Sequence, residues 1–251
     1  MAEEKKVVLI TGSSRGIGAG LARRFAEKGY AVAINYLKSE QAAGELSEGI
    51  NSHCGEGTAL AIRADIGCRS DVSRMYEQIF SRFKRINVLI NTAGLNLDGS
   101  FLEMSDEDWS KVLGTILTGT FICSQEFARR YRGEAGHIIT MGAVTALRGR
   151  RNEANYCSAR AGILTLTKCM AMELAPWIRV NCVTPGYINT AEVIQRYKLD
   201  EQENLERELS GIPMNRLGTP IDVFKIIDFI VNTSSYVTDQ NYFVDGGSYM
   251  H

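Results

Sequence analysis

Residues Val7–Gly18 read VVLITGSSRGIG, and this stretch decides the fold. Its first four residues, Val7–Ile10, are all apolar, as in a parallel strand that is buried on both faces. In the turn that follows, Gly12 permits a tight bend, Gly16 lets a phosphate approach the backbone, and Gly18 allows a helix to pack closely on the strand. The free amides and the positive dipole at the start of that helix favour a pyrophosphate, so the segment predicts a dinucleotide site. The residues expected to line it are Gly12, Ser14, Arg15, Gly16, Ile17 and Gly18.

Composition narrows the class of protein. A chain of 251 residues suits one α/β domain, and its net charge of −1 gives no reason to expect nucleic acid or an anionic membrane as a partner. The apolar runs are too short to span a bilayer, and residues 1–6 lead directly into a strand without room for a secretory signal. The six cysteines and three histidines show no metal-ligand spacing. We therefore expect a cytoplasmic protein with reduced thiols and no metal site.

Short apolar strands alternate with helical patterns along the whole chain. The predicted strands are Val7–Thr11, Ala31–Asn35, Ala59–Ala64, Val88–Asn91, His137–Met141, Ile178–Thr184 and Tyr242–Val244. The predicted helices are Ile17–Lys28, Gln41–Asn51, Asp71–Phe83, Asp106–Arg132, Asn152–Ala175 and Ile221–Val231. This alternation predicts a single domain over residues 1–251: a doubly wound parallel sheet of the Rossmann type in three α/β/α layers.

Two of the predicted helices are unusually long. Asn152–Ala175 is apolar on nearly every side, which is typical of a helix that is buried on more than one face. Packing against a second subunit explains this pattern, and a deep position inside one chain is the alternative. At the end of Asp106–Arg132 the helix dipole would be compensated by three arginines, namely Arg129, Arg130 and Arg132.

Several further motifs resemble those of the short-chain dehydrogenase/reductase family. Asn91-Thr92-Ala93-Gly94 is similar to the family's Asn-Asn-Ala-Gly motif, with one threonine change. Pro185-Gly186 resembles the start of the segment that lines the nicotinamide, and residues 213–220 and 244–247 resemble the 3-oxoacyl-carrier-protein reductase branch. The resemblance implies further coenzyme contacts from Asp65, Ile66, Asn91, Ala93, Gly94, Tyr156, Arg160, Pro185, Gly186, Ile188 and Thr190.

The end of the second predicted strand indicates which coenzyme is bound. It reads Asn35-Tyr36-Leu37-Lys38, without the acidic residue that would bind a free ribose 2′-hydroxyl. Arg15 and Lys38 would reach a 2′-phosphate, so we expect NADP(H) rather than NAD(H), with Asn35 and Tyr36 also at the site. A solvated pair of surface cations is the alternative for Arg15 and Lys38, and a turn residue without ligand contact is the alternative for Asp65.

The catalytic centre departs from the Asn-Ser-Tyr-Lys tetrad that the resemblance implies. Tyr156 matches the tyrosine, but Arg160 replaces the lysine four residues on, Ala143 replaces the serine thirteen residues earlier, and Ile116 replaces the asparagine. Arg160 keeps a charge that would help lower a tyrosine pKa from about 10, but it does not release a proton at working pH. A missing donor at the developing alkoxide typically costs ~10²–10³ in rate.

Nearby hydroxyl groups are candidates to replace the serine. They are Thr145, which we favour, Thr140 and Ser158. Ordinary backbone hydrogen bonding is the alternative for all three, and a structural contact with the coenzyme is the alternative for Tyr156.

Two charged segments would border the substrate. Arg148-Gly149-Arg150-Arg151 would receive an anionic substrate, a phosphopantetheine arm or an acidic carrier protein, and a solvated basic loop is the alternative. Residues 190–212 are charged and poor in apolar side chains, which is typical of a mobile lid.

These observations lead to one function hypothesis and two alternatives. The first is an NADP-dependent short-chain oxidoreductase that reduces a carbonyl, with Tyr156 as proton donor, Arg160 as its electrostatic partner and Thr145 as the substitute hydroxyl. The alternatives are a catalytically silent NADP-binding subunit beside an active homologue, and non-redox chemistry on the same scaffold. Expected partners are a small-molecule or carrier-bound thioester substrate, and either three further copies in a homotetramer or a homologous subunit in a hetero-oligomer.

Overall fold

The computed structural model describes residues 5–131 and 135–250. Its strands form one parallel sheet in the order β3-β2-β1-β4-β5-β6-β7. They are β1 (Val7–Thr11), β2 (Ala31–Tyr36), β3 (Ala59–Arg63), β4 (Val88–Asn91), β5 (Gly136–Met141), β6 (Ile178–Pro185) and β7 (Asn241–Val244). Strand order reverses between β3 and β4, so the carboxyl ends of β1 and β4 flank the crevice where doubly wound sheets bind ligands.

Helices cover both faces of this sheet. They are α1 (Gly16–Glu27), α2 (Glu40–Cys54), α3 (Arg69–Phe83), α4 (Asp106–Leu113), α5 (Gly119–Arg130), α6 (Thr145–Arg148), α7 (Ala154–Leu174), α8 (Ala191–Tyr197), α9 (Gln202–Ser210) and α10 (Pro220–Asp228). Because side chains alternate along a strand, β1 contributes to two apolar cores. Val8 packs in the core that contains Phe25 of α1, and Leu9 in the core that contains Phe127 of α5. The predicted three-layer, doubly wound fold is confirmed.

The predicted helix Asp106–Arg132 is not continuous. A π turn, Gly114–Thr118, separates α4 from α5, and a glycine stands at its first residue and directly after its last. Glycine has low helix propensity, so this is where the regular hydrogen-bond pattern is weakest. Arg129 and Arg130 do lie in the last turn of α5. Arg132 lies outside the described residues.

The predicted helix Asn152–Ala175 starts later and is less buried than expected. α7 begins at Ala154 because Asn152 is left-handed, with φ of 64°, and it ends at Leu174 because Ala175 is extended before a proline. Its buried residues form one stripe, and Met172 on another side is 75% exposed. A deep position of the whole helix within one chain is therefore wrong, and packing against a second subunit stays a prediction.

The other predicted elements match the observed ones within three residues at each end, apart from the last helix. Ile221–Val231 corresponds to α10 followed by a second π turn, Phe229–Thr233. Across residues 5–131 and 135–250, no helix combines the length and apolarity needed to cross a membrane.

Candidate active site

The carboxyl edge of the sheet opens into a cavity of about 480 Å³. Seven cationic and three acidic side chains line it, although the chain as a whole has a net charge of −1. This excess of positive charge favours an anionic ligand. The predicted site residues on its wall are Gly12, Ser14, Arg15, Gly16, Ile17, Gly18, Asn35, Tyr36, Lys38, Asp65, Ile66, Ala93, Gly94, Thr145, Tyr156, Arg160, Pro185, Gly186, Ile188 and Thr190.

The glycine turn at one end of the cavity is held by its neighbours. Gly12 has φ of +61°, and a Cβ atom there would lie 2.6 Å from Ala93 Cα, so only glycine fits. The Gly12 amide donates to Asn35 Oδ1 at 3.1 Å, and Asn35 Nδ2 donates to the Ala64 carbonyl oxygen at 3.1 Å. Asn35 is predicted to lie at the coenzyme site; it lines the cavity, and its buried amide group also fixes the glycine turn.

Asp65 fits both interpretations that the sequence left open. Its Oδ1 accepts the Gly67 amide at 2.9 Å, which makes it a turn residue. It also lines the cavity next to Ile66, on the side where Arg15 and Lys38 present exposed cationic side chains.

Asn91 is the one predicted coenzyme-binding residue that does not line the cavity. It is the last residue of β4, and its Nδ2 donates to Ser124 Oγ of α5 at 3.3 Å. Because side chains alternate along a strand, Asn91 turns toward the helix layer and the following residues, Thr92 to Gly94, form the wall.

Tyr156 and Arg160 lie one turn apart on α7 and meet in the cavity wall. Arg160 Cζ is 5.2 Å from the centre of the Tyr156 ring, within the range of a cation–π interaction. Arg160 Nη1 donates to the Met141 carbonyl oxygen at 2.8 Å, and Nη2 lies 2.7 Å from where a Cβ atom on Gly94 would be. Arg160 is 7% exposed, and within the described residues its Nε has no hydrogen-bond partner. A buried donor left unpaired is costly, so this nitrogen marks an uncompensated point in the wall.

The two residues predicted to stand in place of the tetrad's serine and asparagine both have apolar surroundings. Ala143 lines the cavity directly after β5, so the wall has no hydroxyl at this point. Ile116, in the first π turn, is fully buried in an apolar cluster against which Tyr156 packs.

The candidate substitute hydroxyls differ in position. Thr145 lines the cavity, and its buried hydroxyl lies beside the Cys157 thiol, whose pKa is raised mainly by burial. Thr140 is wrong as a substitute because its hydroxyl is buried against Thr167 Oγ1 at 2.7 Å. Ser158 is wrong because it lies on an exposed side of α7, away from the cavity wall.

A polar cluster at the reaction end of the cavity was missed from the sequence. Glu153 is 4% exposed, and its Oε1 accepts from Arg196 Nη2 at 2.7 Å and lies 3.4 Å from Arg150 Nε. Arg150 Nη1 donates to the Tyr197 hydroxyl at 2.8 Å, and the Tyr197 ring packs edge-on against Tyr187. Burial raises the pKa of Tyr197 to about 12, so this hydroxyl stays neutral at physiological pH. The sequence feature that could have indicated this cluster is the position of Glu153 two residues after the arginine-rich loop 148–151.

The three arginines of the basic loop 148–151 have different surroundings. Arg150 is engaged by Glu153 and Tyr197, whereas Arg148 lines the cavity mouth with an exposed side chain. Arg151 is exposed and lies off the cavity wall.

Known proteins share this architecture. A family model described as "Enoyl-(Acyl carrier protein) reductase" matches residues 12–249. A short-chain dehydrogenase/reductase from Serratia marcescens superposes with a TM-score of 0.88 at 29% identity, over 97% of each chain. The chain belongs to the short-chain dehydrogenase/reductase family. The 3-oxoacyl-[acyl-carrier-protein] reductase of Synechocystis sp. is 36% identical over 98% of this chain and 97% of that protein. FabG of Staphylococcus epidermidis, with the same activity in its name, is 34% identical over 98% and 99% of the two chains.

The resemblance inferred from the ordered motifs is thus confirmed. This short-chain dehydrogenase/reductase is an oxidoreductase by family, on a scaffold that binds a nicotinamide coenzyme, and its sequence resembles 3-oxoacyl-carrier-protein reductases.

Proposed function

We propose that the protein reduces a carbonyl group with NADPH, using Tyr156 as the proton donor. The contact between Tyr156 and Arg160 in the cavity wall carries this proposal. It keeps a phenol and a permanent cation together at the place where the family's tyrosine and lysine stand.

The residues present fit NADP(H). The turn before α1 requires glycine at Gly12, where an added Cβ atom would lie 2.6 Å from Ala93 Cα, and α1 has no acidic residue in its first turn that would repel a pyrophosphate. Arg15 and Lys38 line the same end of the cavity, where residues 35–38 contain no carboxylate to repel a 2′-phosphate. When bound, the coenzyme supplies the hydride.

The side chains then divide the remaining work. Tyr156 donates its hydroxyl proton to the carbonyl oxygen as the carbonyl carbon accepts the hydride, so the product is an alcohol. Arg160 stabilises the resulting phenolate, and because it keeps its own protons, Tyr156 is reprotonated from water. Thr145 lies on the same wall, and its hydroxyl, which is buried beside Cys157, turns toward the cavity to hold the substrate oxygen in place of the missing serine.

The cavity supports a thioester substrate, free or bound to a carrier protein. Arg148 at the mouth presents a cation to an anionic arm, and the relatives from Synechocystis and Staphylococcus are named for acyl-carrier-protein substrates.

A catalytically silent NADP-binding subunit is the second candidate. It is favoured by the apolar surroundings of Tyr156, because Ala143 and Ile116 supply neither a hydroxyl nor an amide to the reacting oxygen. In either role we propose assembly into a homotetramer or a hetero-oligomer through α5 and α7. Phe121 on α5 is 40% exposed and Met172 on α7 is 75% exposed, which is unfavourable in water.

The test combines NADPH binding with turnover of an acetoacetyl thioester. We expect tight NADPH binding and slow thioester-dependent NADPH oxidation that disappears in Tyr156→Phe. Tyr236→Phe is the matched control. Tyr236 is fully exposed, so this substitution removes a tyrosine hydroxyl that lies outside the cavity. Binding without oxidation in the parent would favour the silent subunit, and product formed without NADPH oxidation would favour non-redox chemistry.

A further inference from the structure

Helix α8 crosses the cavity from its nucleotide end to its reaction end. At its start, Thr190 Cγ2 lies 3.7 Å from where a Cβ atom on Gly16 would be, beside the glycine turn. At its end, Arg196 reaches Glu153, three residues before Tyr156. Four residues of α8 line the cavity, so a ligand inside lies beneath this helix.

Two contacts tie α8 to the loop between β4 and α4. Asn96 Nδ2 donates to Glu192 Oε1 at 3.0 Å, and Arg196 Nη2 donates to the two carboxylate oxygens of Asp98 at 2.7 and 2.8 Å. Glu192 and Arg196 are four residues apart, hence on one face of α8. The Asp98 side chain is 45% exposed, so water and salt screen this pair.

The ion pair between Arg196 and Glu153, unlike that between Arg196 and Asp98, is largely buried. The Glu153 side chain is 5% exposed and that of Arg196 is 17% exposed. A buried pair is screened little, and separating it leaves charge uncompensated. Arg150 Nε also lies 3.4 Å from Glu153 Oε1, so the carboxylate keeps one cationic neighbour when Arg196 moves away.

We propose that the Glu153–Arg196 ion pair is a latch that holds α8 closed over the cavity and that must open for the nucleotide to leave. Glu153 is in this role a positioning residue for α8, not a catalytic one. The inference concerns the same cavity as the proposed function, but it requires no turnover.

Hydrogen exchange of the full-length protein tests the latch. The readout is the exchange rate of residues 190–212 divided by that of β4 and β5, so that global loosening cancels. We expect this ratio to rise at least tenfold in Arg196→Met and in Glu153→Gln, and NADPH to dissociate at least fivefold faster. The double variant should be within twofold of Arg196→Met, since both changes break one contact.

Two controls separate charge from packing. Arg207→Met removes an exposed arginine of α9 and should leave the ratio within twofold of the parent. Arg196→Lys should stay within threefold of the parent, because a single nitrogen, Nη2, makes all the recorded ionic contacts of Arg196.

The latch is wrong if Arg196→Met and Glu153→Gln exchange within twofold of the parent. It is equally wrong if Arg196→Lys exchanges as fast as Arg196→Met, because packing of the long side chain would then be responsible. Absence of carbonyl reduction would count against the proposed function alone, since neither exchange nor nucleotide release depends on it.

Discussion

The two halves of the cavity are built from different parts of the chain. In the nucleotide half the deciding element is a backbone turn: Gly12 is pressed against the Ala93 backbone, and its amide donates to the buried side chain of Asn35. In the reaction half they are made by side chains, chiefly Tyr156 and Arg160. A backbone cradle depends on the fold, whereas a centre made of side chains changes with each substitution. This difference would account for a nucleotide half that keeps the glycine motif beside a reaction half in which we predict three of the four tetrad positions to be replaced.

The largest expected effect is in the reaction half. Ala143→Ser restores a hydroxyl on the cavity wall, and we expect thioester reduction to accelerate by ~10²–10³ because a donor then meets the developing alkoxide. NADPH affinity should remain within about twofold of the parent, since the nucleotide half is untouched. Steady-state kinetics and fluorescence titration measure the two quantities. Ala146→Ser, on α6 but off the cavity wall, is the control, and equal rates in the parent and Ala143→Ser would show that the serine position is not limiting.

In the nucleotide half the corresponding change is Gly12→Ala. The new methyl group meets Ala93 backbone at a φ unfavourable for alanine, so the turn has to shift. We expect NADPH to bind about 100-fold more weakly, which corresponds to roughly 3 kcal/mol. Gly44→Ala in α2 meets no atom within 4 Å and should bind NADPH like the parent. Unchanged affinity in Gly12→Ala would remove the glycine turn from the nucleotide site.

The pH dependence of folding stability tests the scaffold independently of the two halves of the cavity. Burial lowers the pKa of His137 from 6.5 to about 4, with nearby Arg179 and Lys6 acting in the same direction. The unfolded chain therefore binds the proton more tightly, so stability is full above pH 6.5 and falls as the pH drops toward 4. Between pH 7 and 4.5 the loss from this one residue is about 2 kcal/mol.

We expect the free energy of unfolding of His137→Gln, measured with urea, to fall by about 2 kcal/mol less than that of the parent between pH 7 and 4.5. His53→Gln removes an exposed histidine and should keep the parent's pH dependence. Parallel pH curves for the parent and His137→Gln would contradict the assignment.

The smallest expected effect concerns the choice between coenzymes. Lys38→Glu should weaken NADPH binding about tenfold while leaving NADH binding within about twofold, because only the 2′-phosphate carries the extra charge. Competitive fluorescence titration of both nucleotides measures this. Arg23→Glu makes the same charge change on α1 away from the cavity wall. Equal weakening of both nucleotides in Lys38→Glu would count against a 2′-phosphate contact.

The sequence was informative where local pattern determines structure. The strand Val7–Thr11 and its glycine turn follow from hydrophobic runs and backbone constraints, and the strand has these bounds in the structure. The π turn after Leu113 was not predicted, because glycines weaken a helix without specifying which irregular hydrogen-bond pattern replaces it. The inward rotation of Asn35 and the pairing of Glu153 with Arg196 depend on elements far apart in sequence, and periodicity carries no information about such contacts.

The space that Gly94 leaves for Arg160 limits which substitutions this part of the wall accepts. Arginine uses that space and also donates to the Met141 carbonyl oxygen, so exchanging it for the shorter lysine opens a gap and strips a buried acceptor of its donor. Exchange of Ala143 for serine disturbs no such contact. Of these two exchanges, only the one at Ala143 leaves the contacts of Arg160 in place, so the hydroxyl can be restored in a single step whereas the ammonium needs a compensating change.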